Sequence, residues 1–193
     1  MLNSKEFEKI KNQMDKEENN RDNVINKSRE LIKISKQLIY SAHRKEKKKG
    51  RKIYEDMKRK KKALQKLVEN QEKLKFIGIY SVALQEYVEA ACYFEFVTNK
   101  NIPCLKSLDV SYYEYLLGLC DLTGEMERNA VYSTVREEFD EVKEIRQVVD
   151  SIYKEFLKFD LRDNKLRKKS DAIKWNLKRI DEVLYDLKLK NKI

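Results

Sequence analysis

Proline occurs once in this sequence, at Pro103, and glycine only four times in 193 residues. So few turn residues argue against a fold of many short strands and tight hairpins. The residues that dominate instead (Glu, Lys, Leu and Ile) are helix formers or helix-compatible, which points to an all-α protein. Histidine occurs once and cysteine three times. A di-iron bundle built on two Glu-x-x-His motifs therefore has no basis. Cys92, Cys104 and Cys120 form no CxxC pair, which argues against zinc. They lie in or near apolar stretches and read as reduced, buried packing residues of a cytosolic protein. No GxxxxGK[ST] or GxGxxG phosphate loop is present. Nor is there a persuasive nucleophile triad. The N-terminal MLNSKEFEKI has no apolar signal core, so a cytoplasmic location is expected.

What the chain has in quantity is charge: 39% of its residues, with a formal net charge of +10. The length suits a single domain over 1–193. Between Arg44 and Lys66 there are 13 Lys/Arg against 3 acids, so the excess is local. That run reads either as solvated charge at a helix end or as a footprint for a phosphate backbone.

Helical periodicity predicts a long helix over residues 4 to about 48, with a possible break at Asn19-Asn20 and an interruption at Gly50. A second helix should start at Arg51, and a bend near Asn70 should precede the stretch 76–97, FIGIYSVALQEYVEAACYFEFV. That stretch reads as a buried helix. Its three glutamates and its glutamine argue against a membrane span. Asp109 is placed to cap a helix over 110–132. Thr134 with Glu137 suggests a capping box for a helix to about Asp160, and Asp163 or Asn164 should open the last helix. Tyr112, Tyr113, Tyr115, Phe94 and Phe96 add more apolar area than one bundle is expected to cover, which predicts a homo-oligomer.

Two carboxylate pairs stand in apolar surroundings. Glu86 and Glu89 are spaced i, i+3, and Asp121 and Glu125 i, i+4, so each pair shares a helix face. On neighbouring antiparallel helices the four would converge. Hard oxygen donors in that number suit Mg²⁺ or Mn²⁺. The same spacing also suits ordinary salt bridges to the many lysines.

The run Leu84-Gln85-Glu86-Tyr87-Val88-Glu89-Ala90 resembles the acidic motif of translin-associated factor X, and Tyr115-Leu116-Leu117-Gly118-Leu119 running into Asp121-Leu122-Thr123-Gly124-Glu125 does so too. Ser28-Arg29-Glu30, Ser35-Lys36, Ile39 and His43-Arg44 match the spacing of the same family's first helix. The final helix, from Leu166 through Tyr185-Asp186-Leu187, is similar to translin itself. The resemblance to the translin/TRAX family covers about residues 21 to 190.

It implies an elongated helical bundle of about six to seven helices that assembles into a hollow oligomer, an octamer in that family, and binds single-stranded RNA or DNA. It also implies a Mg²⁺-dependent endoribonuclease whose catalytic and metal-binding acids are Glu86, Glu89, Asp121 and Glu125. Arg29, Lys36, His43, Arg44 and Arg128 are the candidate nucleic-acid contacts. His43 could stack on a base, donate to a phosphate or simply be a packed helix histidine; Tyr40, Tyr54 and Tyr93 could stack bases or lie in the core. The loop after the 110–132 helix is shorter than in the eukaryotic proteins, and the likeness to both branches implies a homo-oligomer rather than a two-subunit complex. The alternative function is a non-catalytic single-stranded nucleic-acid-binding oligomer, and a third reading is a purely structural assembly with a solubilising basic surface.

Overall fold

Forty residues free of proline and glycine, Ser4–His43, form one unbroken helix, α1, about 60 Å long in this computed structural model. The structure describes residues 2–193. Nothing at Asn19-Asn20 interrupts the backbone ladder, so the expected break does not occur. The first buried side chain is Val24. From there Leu31, Ile34, Leu38, Ile39 and Ala42 face the core, while the preceding turns stand almost wholly exposed.

The chain turns at Arg44–Glu46, where Lys45 takes a positive φ of 55°, and α2 follows as Lys47–Val68. Gly50 is therefore not the interruption that the sequence suggests. It lies in the first turn of α2, where a Cβ would fall 2.4 Å from the Phe94 ring. Its smallness lets two helices meet. The bend expected near Asn70 leads into a single turn, α3 (Glu72–Lys75), and then into the buried helix α4, Gly78–Asn99.

Helix α4 is apolar nearly all round because α1 and α6 (Tyr112–Val135) both pack extensively against it. Such a helix is the centre of its fold. A single turn, α5 (Leu105–Leu108), separates α4 from α6. Helix α7 (Phe139–Phe156) and helix α8 (Asn164–Leu189) pack on α6 and on each other. The described residues thus hold six long helices and two single turns, and no strand. Their buried side chains form one connected core.

Gly118 sets the distance between α4 and α6. A Cβ there would lie 2.6 Å from the Val88 side chain and 2.9 Å from the Gln85 carbonyl oxygen. That close approach brings the turn carrying Asp121 against the turn carrying Gln85 and Glu86.

Two local expectations are corrected and one holds. Ser111, not Asp109, caps α6: its hydroxyl accepts from the backbone N–H of Tyr113 and Glu114. Asp109 has a positive φ of 51° and is held from outside by the buried Lys61, whose ammonium donates to the Leu108 and Asp109 carbonyls and to the Asp109 carboxylate. Thr134 and Glu137 form no capping box. The Thr134 hydroxyl bonds back to the Ala130 carbonyl, Glu137 has a φ of 59°, and α7 starts only at Phe139. Asp163 does cap α8, accepting from the Leu166 N–H at 2.8 Å.

Cys92 and Cys120 are buried as expected, but Cys104 is exposed in the α4–α5 connection. Phe94 and Phe96 are covered within this one chain. The exposed large apolar side chains lie elsewhere: Phe7, Ile10 and Met14 on the free end of α1, Tyr112, and Leu157, Phe159, Trp175 and Tyr185 around α7 and α8. Among the described residues no helix is long and apolar enough to cross a membrane.

Candidate active site

Glu86 and Glu89 leave α4 on the side where α1 and α6 meet it. Glu89 is 9% exposed and Glu86 about half-buried. Burial pushes the Glu89 carboxyl well above the ordinary range, and the nearby charges of Asp121, Glu86 and Glu125 push it further. Glu86 is also raised, first by burial. Lys36 pulls the other way, while Asp121 and Glu125 add to the rise. The two acidic pairs of the sequence therefore share one electrostatic neighbourhood, which unpaired carboxylates occupy only at a cost.

Three of the four acids (Glu86, Glu89 and Glu125) line a cavity of about 370 Å³ that α1 closes with Lys36, Ile39, Tyr40 and His43, and α6 with Arg128. Asp121 is held just outside it, bonded to Lys169 at 2.6 Å through each carboxylate oxygen and also to the Gln85 amide. Glu125 turns to His43, with Oε2 2.5 Å from Nε2, and lies 3.9 Å from the Arg128 guanidinium.

His43 is nearly buried and uses both ring nitrogens. Its Nδ1 lies 2.8 Å from the hydroxyl of Tyr93, a side chain with no exposed surface. If Nδ1 carried the proton, the Tyr93 hydroxyl hydrogen would be left without an acceptor among the described residues, a costly state for a buried donor. The arrangement that satisfies every group has Tyr93 donating to Nδ1 and Nε2–H donating to Glu125. His43 is thus an orienting group for Glu125 and has no nitrogen left for a phosphate.

The other basic candidates divide. Lys36 and Arg128 line the cavity, and Arg128 stacks on Tyr132 while donating to its hydroxyl. Arg44 is exposed at the end of α1. It pairs with Glu46 at 2.8 Å and lies over the Tyr40 ring, but it does not line the cavity. Arg29 is exposed two turns before Lys36 on α1 and does not line it either. Of the tyrosines considered for base stacking, Tyr54 and Tyr93 are core residues; Tyr40 is 57% exposed, with Arg44 over its ring.

Lys36 and Tyr40 also border a groove of about 710 Å³ between α1 and α2, lined further by Lys33, Lys49 and Lys52. Part of the basic run of the sequence, Lys49 and Lys52, therefore faces a groove that shares Lys36 and Tyr40 with the acid cavity. Another part is structural: Lys61 is buried against Asp109, Lys60 pairs with Glu30, and Lys45 bridges Glu138 and Glu141.

Sequence reasoning missed Lys169 and Gln85 as partners of Asp121, and the Tyr93–His43–Glu125 chain. As a donor set, four carboxylates suit a hard divalent cation. Among the described residues, however, no three His, Cys, Asp or Glu side chains stand close enough to cage one. Asp121 and Glu125 are engaged by Lys169 and His43 instead.

The sequence pattern of the Translin family matches residues 19–191. An uncharacterised protein of Methanocaldococcus jannaschii is 28% identical over 165 residues, covering 78% of this chain and 68% of that one. The translin-associated protein X homolog of Schizosaccharomyces pombe is 30% identical over 137 residues, covering 64% of this chain and 59% of that protein's length. Among solved structures, apo-NeC3PO superposes with a TM-score of 0.88 at 25% identity, over 96% of this chain and 97% of that one. AfC3PO in complex with duplex RNA superposes with a TM-score of 0.80 at 20% identity, over 96% of this chain and 97% of that one.

Proposed function

The chain belongs to the Translin family, and from that premise we propose that it is a metal-dependent endoribonuclease that cuts single-stranded RNA as a homo-oligomer in the cytoplasm. The observation that carries the reading is Glu89, 9% exposed on α4 with Glu86 one turn away and Asp121 and Glu125 nearby, its carboxyl raised first by burial and then by those three charges. A buried acid cluster of this kind is unfavourable in itself and is a marker of function rather than of stability.

Glu86, Glu89, Asp121 and Glu125 would hold Mg²⁺ or Mn²⁺. When bound there, such an ion lowers the pKa of water and steadies charge on a phosphoryl group. The chain's own residues supply the rest. Lys36 and Arg128 stand at the cavity where they can meet phosphate oxygens, and Lys33, Lys49 and Lys52 continue that positive surface along the α1/α2 groove. The exposed ring of Tyr40, between cavity and groove, offers a stacking face for an unpaired base. Tyr93 and His43 fix the direction of the Glu125 carboxylate.

RNA as the ligand is supported by the AfC3PO neighbour, whose structure was solved with duplex RNA. Single-stranded RNA or DNA and octameric assembly are what the translin/TRAX resemblance implies. Self-assembly is supported further by the exposed Trp175, Leu157, Phe159 and Tyr185, large apolar side chains that one chain leaves open.

The second reading, a non-catalytic single-stranded nucleic-acid-binding oligomer, is favoured by one observation: Asp121 is already paired with Lys169 and Glu125 already hydrogen-bonded to His43. Labelled single-stranded RNA incubated with Mg²⁺ or EDTA separates the two. Metal-dependent cutting that disappears in Glu89→Ala, with binding retained, supports the nuclease. RNA bound by an assembled oligomer but never cut supports the scaffold.

A further inference from the structure

Asp121 is the only one of the four acids that does not line the cavity, and a lysine keeps it there. Lys169 reaches over from α8 and places Nζ 2.6 Å from Oδ1 and 2.6 Å from Oδ2. The ammonium sits astride the carboxylate, where a hard cation would share the same two oxygens. Neither side chain is open to solvent by more than 29%, so water screens the pair only in part. The same lysine lowers the cost of the whole cluster, since its charge acts downward on both Glu86 and Glu89.

A second observation points to the same spot. Gln85, 5% exposed, donates its amide N–H to Asp121, while its Oε1 is buried without a partner among the described residues. A buried amide oxygen with unmet acceptor capacity, on a side chain that already touches the carboxylate, adds a neutral oxygen donor beside Asp121.

We propose that Lys169 is the resident counter-cation of the acid site: it occupies the place at Asp121 that a divalent cation takes, so that the cation loads by exchange with the lysine and α8 sets how tightly it is held. This rests on the reading of the four acids as metal-binding. Exchange keeps the acid cluster neutralised in both states.

The test is calorimetric titration of the full-length oligomer with Mn²⁺, comparing wild type, Lys169→Met, Lys169→Arg and Glu89→Gln. The expected result is Mn²⁺ bound roughly two- to fivefold more tightly by Lys169→Met, the range that removal of one partly screened competing ion pair allows. Lys169→Arg should stay at or below the wild-type affinity and Glu89→Gln should bind more weakly. Equal or weaker binding by Lys169→Met overturns the exchange and leaves Lys169 as a positioning or packing group. No Mn²⁺ bound by wild type and Lys169→Met alike overturns it together with the metal reading beneath it, which is a separate failure. Should Lys169→Met unfold too readily to titrate, the rise in melting temperature on adding Mn²⁺ serves as the readout. A larger rise in Lys169→Met than in wild type supports the exchange, and an equal or smaller one overturns it.

Discussion

His43 Nε2 lies 2.5 Å from Glu125 Oε2, and the ring is held from behind by the hydroxyl of the fully buried Tyr93. Tyr93→Phe removes that donor and leaves Nδ1 buried without a partner. The change should cost about 1–3 kcal/mol of stability. It should also free His43 to change tautomer. Chemical denaturation measures the first effect. The nitrogen chemical shifts of His43, which report the ring proton's position, measure the second.

The spacing of α4 and α6 depends on Gly118. Gly118→Ala forces a methyl group to 2.6 Å from the Val88 side chain and 2.9 Å from a backbone oxygen. It should destabilise the fold by about 1–3 kcal/mol and impair the acid site with it. Gly78→Ala is the control: nothing lies within 4 Å of its Cβ. A helical glycine replaced by alanine there should be neutral or stabilising by about 0.5–1 kcal/mol. Paired urea melts distinguish the two.

Glu86 and Glu89 give the metal-free protein a pH dependence of defined sign. Their carboxyls are raised in the fold, first by burial. Between the ordinary carboxylate value and the raised one, the folded state therefore binds more protons than the unfolded state, and stability falls as pH rises through that window. Acids held low act elsewhere. Glu138, lowered to about 2 because hydrogen bonds from Lys45 and Arg136 outweigh the upward push of burial, matters only below the ordinary range. In EDTA the protein should thus gain stability on going from neutral pH towards the ordinary carboxylate value, and Glu89→Gln should flatten that rise. Divalent affinity should run the opposite way, increasing with pH as the acids lose their protons. Melts in EDTA and titrations with Mn²⁺ across pH check both.

The groove between α1 and α2 makes a separable contribution. Replacing Lys33 and Lys52 by Glu should weaken RNA binding and reduce the dependence of log K on log salt by about one for each phosphate that is no longer neutralised. The divalent affinity of the acid site should not change. Binding measured over a series of salt concentrations decides it.

Much of this was legible in the sequence where the signal is local. The apolar run around Glu86 and Glu89 specified a central helix, and the i, i+3 and i, i+4 acid pairs specified which faces would meet. Asp163 announced a helix start through its own side chain. Local signals failed where tertiary packing took over. Gly50 looked like a breaker but serves a close approach to Phe94, 44 positions away in sequence. Asp109 looked like a cap but is claimed by Lys61. Lys169 is one lysine in a helix full of them, and no spacing rule links it to Asp121, 48 residues earlier. The partner of His43 is likewise set by the α1–α4–α6 packing, since Glu125 lies 82 residues away.

The most direct test of the four-acid metal site is anomalous diffraction from crystals soaked in Mn²⁺. A manganese peak is expected among Glu86, Glu89, Asp121 and Glu125, with Lys169 withdrawn from Asp121. A manganese-free acid cluster, with the Lys169–Asp121 and His43–Glu125 pairs intact at saturating Mn²⁺, would contradict it.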